Sequence, residues 1–158
     1  VLLGDDQGRT DYRDELEQMI LDLHLEDRVR IAEHCDDMAV AYMLANVVVS
    51  ASTEPEGFGR IAVEAQAMGR PTIATNLGGS KETVIPDVTG WLVPPNDPDA
   101  LAAALDTALS LPEEQKQFIT EQASYHARAH FTKEQMTSAT LLVDNEDILS
   151  CHFLISSS

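Results

Sequence analysis

The sequence predicts an α/β fold in which parallel strands form a doubly wound, Rossmann-like sheet. Short apolar runs alternate with stretches of helical periodicity along most of the chain, as in strands joined by crossover helices. Such crossovers are right-handed and make the strands parallel. The chain has 158 residues, the size of one domain, and contains no internal repeat and no low-complexity linker. We therefore expect one domain that is long enough to bury a core.

The first elements are a strand, a helix and a second strand. Residues 1–3 are apolar and predict a buried parallel strand, and residues 4–9 predict a loop. A helix is expected from Asp11, with Thr10 or Asp11 as its cap, and it closes near His24. Residues 28–32 predict the second strand. The inward face of the helix consists of apolar residues at helical spacing, namely Leu16, Met19, Ile20 and Leu23.

A second helix leads into the central strand. Asp36 or Asp37 is placed to cap this helix, and residues 47–49, which are all valine, predict the strand. The residues expected to face inward are Met38, Ala41, Leu44 and Ala45.

The later elements continue the alternation. Residues 71–75 and 89–93 predict two further strands, and residues 81–84 have room only for a short helical turn before Pro86. Asp97 is expected to cap a helix rich in alanine and leucine, with Pro98 as its first residue and residues 99–109 as its body. A last helix is predicted from Pro112 to about His130.

Residues 50–65, which follow the central strand, form the stretch where a ligand is expected. They hold a polar turn with two carboxylates, a proline and two glycines, and then pass into a helix that begins near Gly59 or Arg60. Open α/β sheets bind ligands at the carboxyl ends of their strands. Because a helix N-terminus also presents unpaired N–H groups, the loop suits an anion, above all a phosphate.

Two glutamates in this stretch add a further kind of contact. Glu56 lies in the loop and Glu64 about one turn into the helix, with seven residues between them. Ionised carboxylates only accept hydrogen bonds, so hydroxyl groups of a sugar ring or a ribose fit them. A phosphate flanked by two polyols describes a sugar nucleotide.

The motifs of this region resemble those of a large enzyme family. The segment EGFGRIAVE runs from Glu56 to Glu64, and AQAMGRPTIAT, GGSKE and TGWLVPPNDPDALAAAL follow it in that order. The chain is therefore similar, over about residues 1–131, to the retaining nucleotide-sugar-dependent glycosyltransferases of the GT-B fold. These form glycosyltransferase family 4, the group 1 type, which carries a glutamate, seven residues and a second glutamate.

The resemblance implies a role for each residue of the motif. Glu56 would be the catalytic-site residue that holds hydroxyls of the donor hexose, and Glu64 would hold the ribose hydroxyls. The remaining donor-binding residues, mainly through backbone amides, would be Gly57, Phe58, Gly59, Arg60 and Ile61. Possible phosphate or loop contacts would be Gly78, Gly79 and Lys81.

The resemblance also implies that the donor and the acceptor bind to different parts of the whole protein. The chain would be the carboxy-terminal, nucleotide-sugar-binding half of the enzyme, incomplete at its amino end, with the donor domain at residues 1–143 and an atypical tail at 144–158. The acceptor, a histidine at the reaction centre and a basic pair that clamps the diphosphate would lie elsewhere. Transfer would need no metal and no cofactor beyond the nucleotide-diphosphate sugar. The base would lie near residues 32–35, where Glu33 replaces the usual glycine, and its identity stays open.

Several alternatives stay open beside this interpretation. Gly57 and Gly59 could be present only because they permit an unusual turn of the backbone. Gly78 and Gly79 could likewise be present only because they permit a tight turn. Glu64 could be a first-turn carboxylate favoured by the helix dipole. Lys81 could be a solvated charge. The chain as a whole could be a non-catalytic nucleotide-binding module, or one that binds a partner protein through a sheet edge.

Composition excludes some partners. Ten lysines and arginines against 27 aspartates and glutamates give a net charge of −17, which disfavours nucleic acid and an anionic membrane surface. Cys35 and Cys151 have no metal-binding spacing, so we expect a reducing, cytoplasmic location. The five histidines also lack a ligand spacing and are expected at the surface. No Walker or dinucleotide-binding glycine motif is present.

Overall fold

Strands and helices alternate in the order that the sequence predicts. The computed structural model describes residues 1–4, 10–32, 35–55 and 57–132. It divides into two compact units, Val1–Ala41 and a second that begins at Tyr42. The strands are β1 (Leu2–Leu3), β2 (Ile31–Ala32), β3 (Val48–Ser50), β4 (Thr72–Thr75) and β5 (Gly90–Val93). The helices are α1 (Thr10–Asp22), α2 (Met38–Leu44), α3 (Arg60–Ala67), α4 (Ser80–Thr83), α5 (Pro98–Ser110) and α6 (Glu113–His130).

The strands of the first unit pair in parallel but are not buried. Leu2 pairs with Ile31 and Leu3 with Ala32. The expectation of a buried opening strand is wrong, since Leu2 is 44% and Leu3 39% exposed. Among the described residues each of these strands pairs along one edge only, and a sheet of two short strands encloses few side chains.

Helix α1 differs from the prediction at its start and on its apolar face. It begins at Thr10, one residue before the predicted start at Asp11. Leu16 and Ile20 are half-buried, whereas Met19 and Leu23 are at least half exposed. Periodicity identifies which side chains share a face, but the amount of cover over that face depends on the rest of the structure.

The structure of helix α2 shows which of the two aspartates is its cap, and it differs from the prediction in which side chain is buried. The Asp37 carboxylate accepts a hydrogen bond from the Val40 N–H at 3.2 Å, so Asp37 is the residue that caps the helix start. Leu44, expected to face inward, is 80% exposed, and Tyr42 is buried in its place. The physical reason is that the phenol of Tyr42 finds a hydrogen-bond partner inside the second unit, as described below.

The second unit is built on a parallel three-stranded sheet in the order β3-β4-β5. All four residues of β4 are buried, because β4 lies between its two neighbours and both of its faces are covered. Ile73 packs with Ala108 of α5, whereas the next residue, Ala74, packs with Ala62 of α3. Successive side chains of a strand point to opposite faces, so helices cover both sides of the sheet, as predicted.

The helices of the second unit begin and end close to their predicted positions. Asp97 caps α5, its carboxylate accepting from the Ala100 N–H at 2.9 Å, and Pro98 is the first helical residue. Helix α6 packs against α3. Within the ranges described, none of the helices combines the length and apolar character required to cross a membrane. The predicted tail, residues 144–158, lies outside the described residues.

Candidate functional site

The candidate site is formed by two loops that follow neighbouring parallel strands. Ser50 of β3 pairs with Ala74 of β4, so the loops after these strands leave the sheet at the same end. The Thr75 hydroxyl donates to the Ser52 carbonyl at 2.8 Å and ties the end of β4 to the first loop. The sheet register therefore brings together two loops that helix α3 and strand β4 separate in the sequence.

Glycine allows the two loops to touch through their backbones. A Cβ atom placed on Gly79 would lie 2.5 Å from the carbonyl carbon and 2.6 Å from the Cα of Phe58. Gly79 has φ −64, so its need for glycine is one of space and not of backbone conformation. The Gly78-Gly79 turn is thus packed directly against the EGFG loop, next to the start of α3.

Gly59 sets the direction in which α3 begins. Its φ of 68 and ψ of 46 place it in the left-handed region, where glycine is strongly favoured. The Ala62 and Val63 N–H groups both donate to the Gly59 carbonyl, at 3.1 and 3.3 Å. The amides of Arg60 and Ile61 are left without an acceptor inside the helix, and such groups bind anions at helix N-termini.

The charge of the first turn also favours an anion there. Helix α3 has no acidic residue in its first turn, and its first residue is Arg60, whose side chain is 81% exposed. Lys81 is exposed on α4, the short helix that follows the Gly78-Gly79 turn.

Glu64 lies on α3 beyond the first turn. The alternative interpretation, that it is a first-turn carboxylate favoured by the helix dipole, is therefore wrong. Its Oε2 accepts a hydrogen bond from the Tyr42 hydroxyl at 2.9 Å, and its Oε1 accepts from Arg60 Nη2 at 3.2 Å. The side chain is 41% exposed and retains lone pairs for further donors.

Tyr42 is the site residue that the sequence analysis did not identify. It is only 6% exposed, and burial together with the hydrogen bond to Glu64 raises the pKa of its phenol well above its ordinary value. The phenol is therefore a neutral hydrogen-bond donor at physiological pH. Nothing in the sequence around Tyr42 indicates this contact, because its partner Glu64 lies 22 positions further along the chain.

An aromatic cluster contacts the first loop through Phe58. The rings of Phe58 and Phe131 meet edge to face with centroids 5.8 Å apart, and Phe131 also contacts His126 and His130. Burial, and then the charge of His130, lower the pKa of His126. Its Nε2 is buried without a hydrogen-bond partner among the described residues, whereas the residue as a whole is half-buried, so the expected surface position holds for only part of the ring.

The structure places most of the predicted site residues at this junction. Gly57 is exposed, Phe58 is half-buried, and Ile61 has a partly exposed side chain at the start of α3. Glu56 lies outside the described residues, as does Glu33 of the predicted base-binding segment. In the part of the chain that the structure describes, no three His, Cys, Asp or Glu side chains come together as metal ligands.

Comparison with known proteins connects this junction to a family. A family model described as glycosyl transferases group 1 matches residues 1–124. A D-inositol 3-phosphate glycosyltransferase from Kineococcus radiotolerans is 38% identical over 123 residues, which make up 71% of this chain and 28% of that protein. The chain thus spans between a quarter and a third of the length of this relative.

Two solved structures share the fold. A glycosyltransferase from Rickettsia africae matches with a TM-score of 0.85 and 30% identity, covering 99% of this chain and 40% of that one. HepE from Anabaena, in complex with UDP and glucose, matches with a TM-score of 0.82 and 32% identity, covering 90% of this chain and 40% of that one.

Proposed function

Because the chain belongs to the family of glycosyl transferases group 1, we propose that the whole protein transfers a hexose from a nucleotide-diphosphate sugar to an acceptor, with retention of anomeric configuration. In this proposal the chain supplies the donor-binding half and the acceptor binds to another part of the protein. We also propose a reducing, cytoplasmic location, since two cysteines in 158 residues are too few for a disulfide scaffold.

The observation that carries the proposal is the pairing of an anion site with a carboxylate on one helix. The Arg60 and Ile61 amides open α3 beside the Gly78-Gly79 turn, and Glu64 lies one turn further along with a partly exposed side chain. A helix terminus stabilises phosphate, and a carboxylate accepts from hydroxyls. A nucleotide-diphosphate sugar carries both groups.

This arrangement supports a specific catalytic contribution. Negative charge grows on the leaving diphosphate as the glycosidic bond breaks. Fixed amides at the start of α3 stabilise that charge more in the transition state than in the ground state, which lowers the barrier. We assign the distal phosphate to the Arg60 and Ile61 amides, with Gly78, Gly79 and Lys81 at the edge of the phosphate site.

The two glutamates are assigned to different parts of the donor, the hexose and the ribose. We assign the hexose hydroxyls to Glu56, with the Gly57, Phe58 and Gly59 amides alongside, and the ribose hydroxyls to Glu64. UDP is the first nucleotide to test, since the Anabaena neighbour was solved with UDP and with UDP-glucose.

The test is the release of nucleoside diphosphate by the whole protein, supplied with UDP-, GDP- or ADP-glucose. We expect Glu56→Ala to reduce turnover by about two orders of magnitude or more, the scale found when a transition-state contact is removed. Glu64→Ala should raise KM for the donor about tenfold or more, since hydrogen bonds to charged groups contribute ~1.5–3 kcal/mol. Glu114→Ala, an exposed glutamate on α6, is the control. Unchanged kinetics in both site variants would contradict the proposal.

We further propose that transfer needs no metal ion, because the helix amides supply the charge stabilisation that a divalent cation supplies elsewhere. Turnover should be the same after dialysis against EDTA as after dialysis against buffer. A loss that added Mg²⁺ or Mn²⁺ restores would overturn this part of the proposal and leave the site assignment intact.

A second candidate function is that of a non-catalytic module that binds a partner protein. The first unit supports this candidate. Among the described residues β1 pairs only with β2, and Leu2, Leu3, Met19 and Leu23 are exposed. Light scattering of this chain over a range of concentrations tests it. Strictly monomeric behaviour, together with nucleotide turnover by the whole protein, would exclude this candidate.

A further inference from the structure

The Glu64 carboxylate is held unequally at its two oxygens. Oε2 accepts from the Tyr42 hydroxyl, which is buried, while Oε1 accepts from Arg60, whose side chain is 81% exposed. Ion pairs of exposed residues contribute little and are easily replaced by other donors. The Arg60 contact is therefore exchangeable, whereas the Tyr42 contact is held by the packing around the phenol.

A carboxylate that is 41% exposed on a helix surface would otherwise sample several rotamers. A fixed hydrogen-bond donor selects one of these rotamers. Less side-chain entropy of the carboxylate is then lost when a ligand binds. Tyr42 suits this task because burial and the neighbouring carboxylate raise the pKa of its phenol, which therefore stays protonated at neutral pH.

From this geometry we infer that Tyr42 is a positioning residue for donor recognition, holding Glu64 so that Oε1 faces the ribose hydroxyls of the nucleotide. This inference rests on the proposed function, in which Glu64 accepts from those hydroxyls. Tyr42 does not contact the reacting atoms and acts only through Glu64. Arg60 would release Oε1 when the nucleotide binds.

The experiment is a cycle with two proteins and two ligands. Binding of UDP and of 2′,3′-dideoxyuridine diphosphate to the whole protein is measured by calorimetry for the wild type and for Tyr42→Phe. We expect the variant to bind UDP about tenfold more weakly and the dideoxy analogue with a change of less than about twofold. Tyr125→Phe, which removes the same hydroxyl from an exposed tyrosine on α6, should leave both affinities unchanged.

The cycle separates positioning from a general structural role. If Tyr42 served only stability, the variant would lose affinity for both ligands equally, and the inference would be overturned. If Glu64→Gln abolishes the preference for UDP but Tyr42→Phe leaves it intact, the inference fails while the proposed function stands. If the wild type shows no preference between the two ligands, the ribose contact in the proposed function fails instead.

A measurement on the wild type covers the case in which Tyr42→Phe does not fold. With ¹³C-labelled tyrosine, the Cζ resonance of Tyr42 reports on the hydrogen bond that its hydroxyl donates. UDP should shift this resonance, and the dideoxy analogue should not. Equal shifts with both ligands, or no shift with UDP, would overturn the inference.

Discussion

Two glycines at the junction of the site are required for different physical reasons. Gly59 adopts a left-handed conformation, which an L side chain enters at a cost of about 1–2 kcal/mol. Gly79 has an ordinary backbone conformation but lies against the backbone of Phe58. The motif therefore depends on glycine both for the shape of one loop and for the contact between the two loops.

The contact at Gly79 predicts a difference between two alanine substitutions. Gly79→Ala should lower the free energy of unfolding by about 1–3 kcal/mol, since a methyl group would press on the Phe58 backbone and the loops would have to separate. Gly57→Ala is the matched control, because a Cβ added there would meet no atom of the described residues within 4 Å beyond its chain neighbours. Urea unfolding measures both. Equal effects of the two substitutions would contradict the packed junction.

His126 predicts how stability depends on pH. Because its pKa is lowered in the folded state, the unfolded chain binds more protons, and stability should fall as the pH drops through about 6.5. His126→Gln should remove the part of this fall that His126 causes, as seen by urea unfolding at pH 7.5 and pH 5.5. An identical fall in the variant would show that His126 is not its source.

Replacing His130 distinguishes the two causes of the lowered pKa of His126, which are burial and the charge of His130. In an NMR titration, His130→Gln should raise the pKa of His126, because one neighbouring positive charge is removed. The pKa should still lie below its ordinary value, since burial is the larger cause. A return to the ordinary value would mean that the charge of His130 dominates.

Among the elements, α3 and α5 begin in contrasting ways. Helix α5 satisfies its first turn with the carboxylate of Asp97, so its N-terminus serves stability. Gly59, at the corresponding position of α3, has no side chain with which to cap, and its carbonyl receives the Ala62 and Val63 amides. The N-terminus of α3 therefore has no side-chain cap.

The cap of α5 can be tested against an equivalent charge further along the same helix. Asp97→Ala should cost about 1 kcal/mol of stability, because the Ala100 N–H loses its acceptor. Asp106→Ala removes an exposed carboxylate from the body of α5 and should change stability by less than about 0.5 kcal/mol. Thermal or urea unfolding compares them. A cost for Asp106→Ala as large as that for Asp97→Ala would refute the role of the cap.

At the scale of the whole molecule, the net charge of −17 opposes the approach of a nucleoside diphosphate. The local attraction at the start of α3 acts over one helix turn, whereas the repulsion acts over the whole surface. Salt screens charges that are separated by more than about 10 Å at 0.1 M ionic strength.

We therefore expect UDP to bind this chain more tightly as the ionic strength is raised from low values to about 0.15 M. Amide-resolved NMR titrations at several salt concentrations measure the affinity and also locate the site, through shifts at Gly57, Gly59 and Ile61. Uridine, which lacks the diphosphate, is the control and should show little dependence on salt. An affinity for UDP that falls steadily with salt would show that local cations dominate.

The sequence alone determined the order of the elements and the position of the glycine-containing loops that follow β3 and β4. Apolar periodicity, the Asp97-Pro98 helix start and the glycine-containing loops after two strands are local signals, because each depends on residues within one or two turns of the chain. The same local reasoning placed Glu64 about one turn into α3 but left open that it belongs to the first turn, and the structure places it beyond that turn.

Only the tertiary structure decided which side chains meet at the site. Tyr42 with Glu64, Gly79 with Phe58, and Phe58 with Phe131 are pairs separated by more than twenty residues. The burial of Tyr42 instead of Leu44 has the same origin. Periodicity gives each helix a face, but contacts between elements depend on strand register and loop packing, which the whole unit determines together.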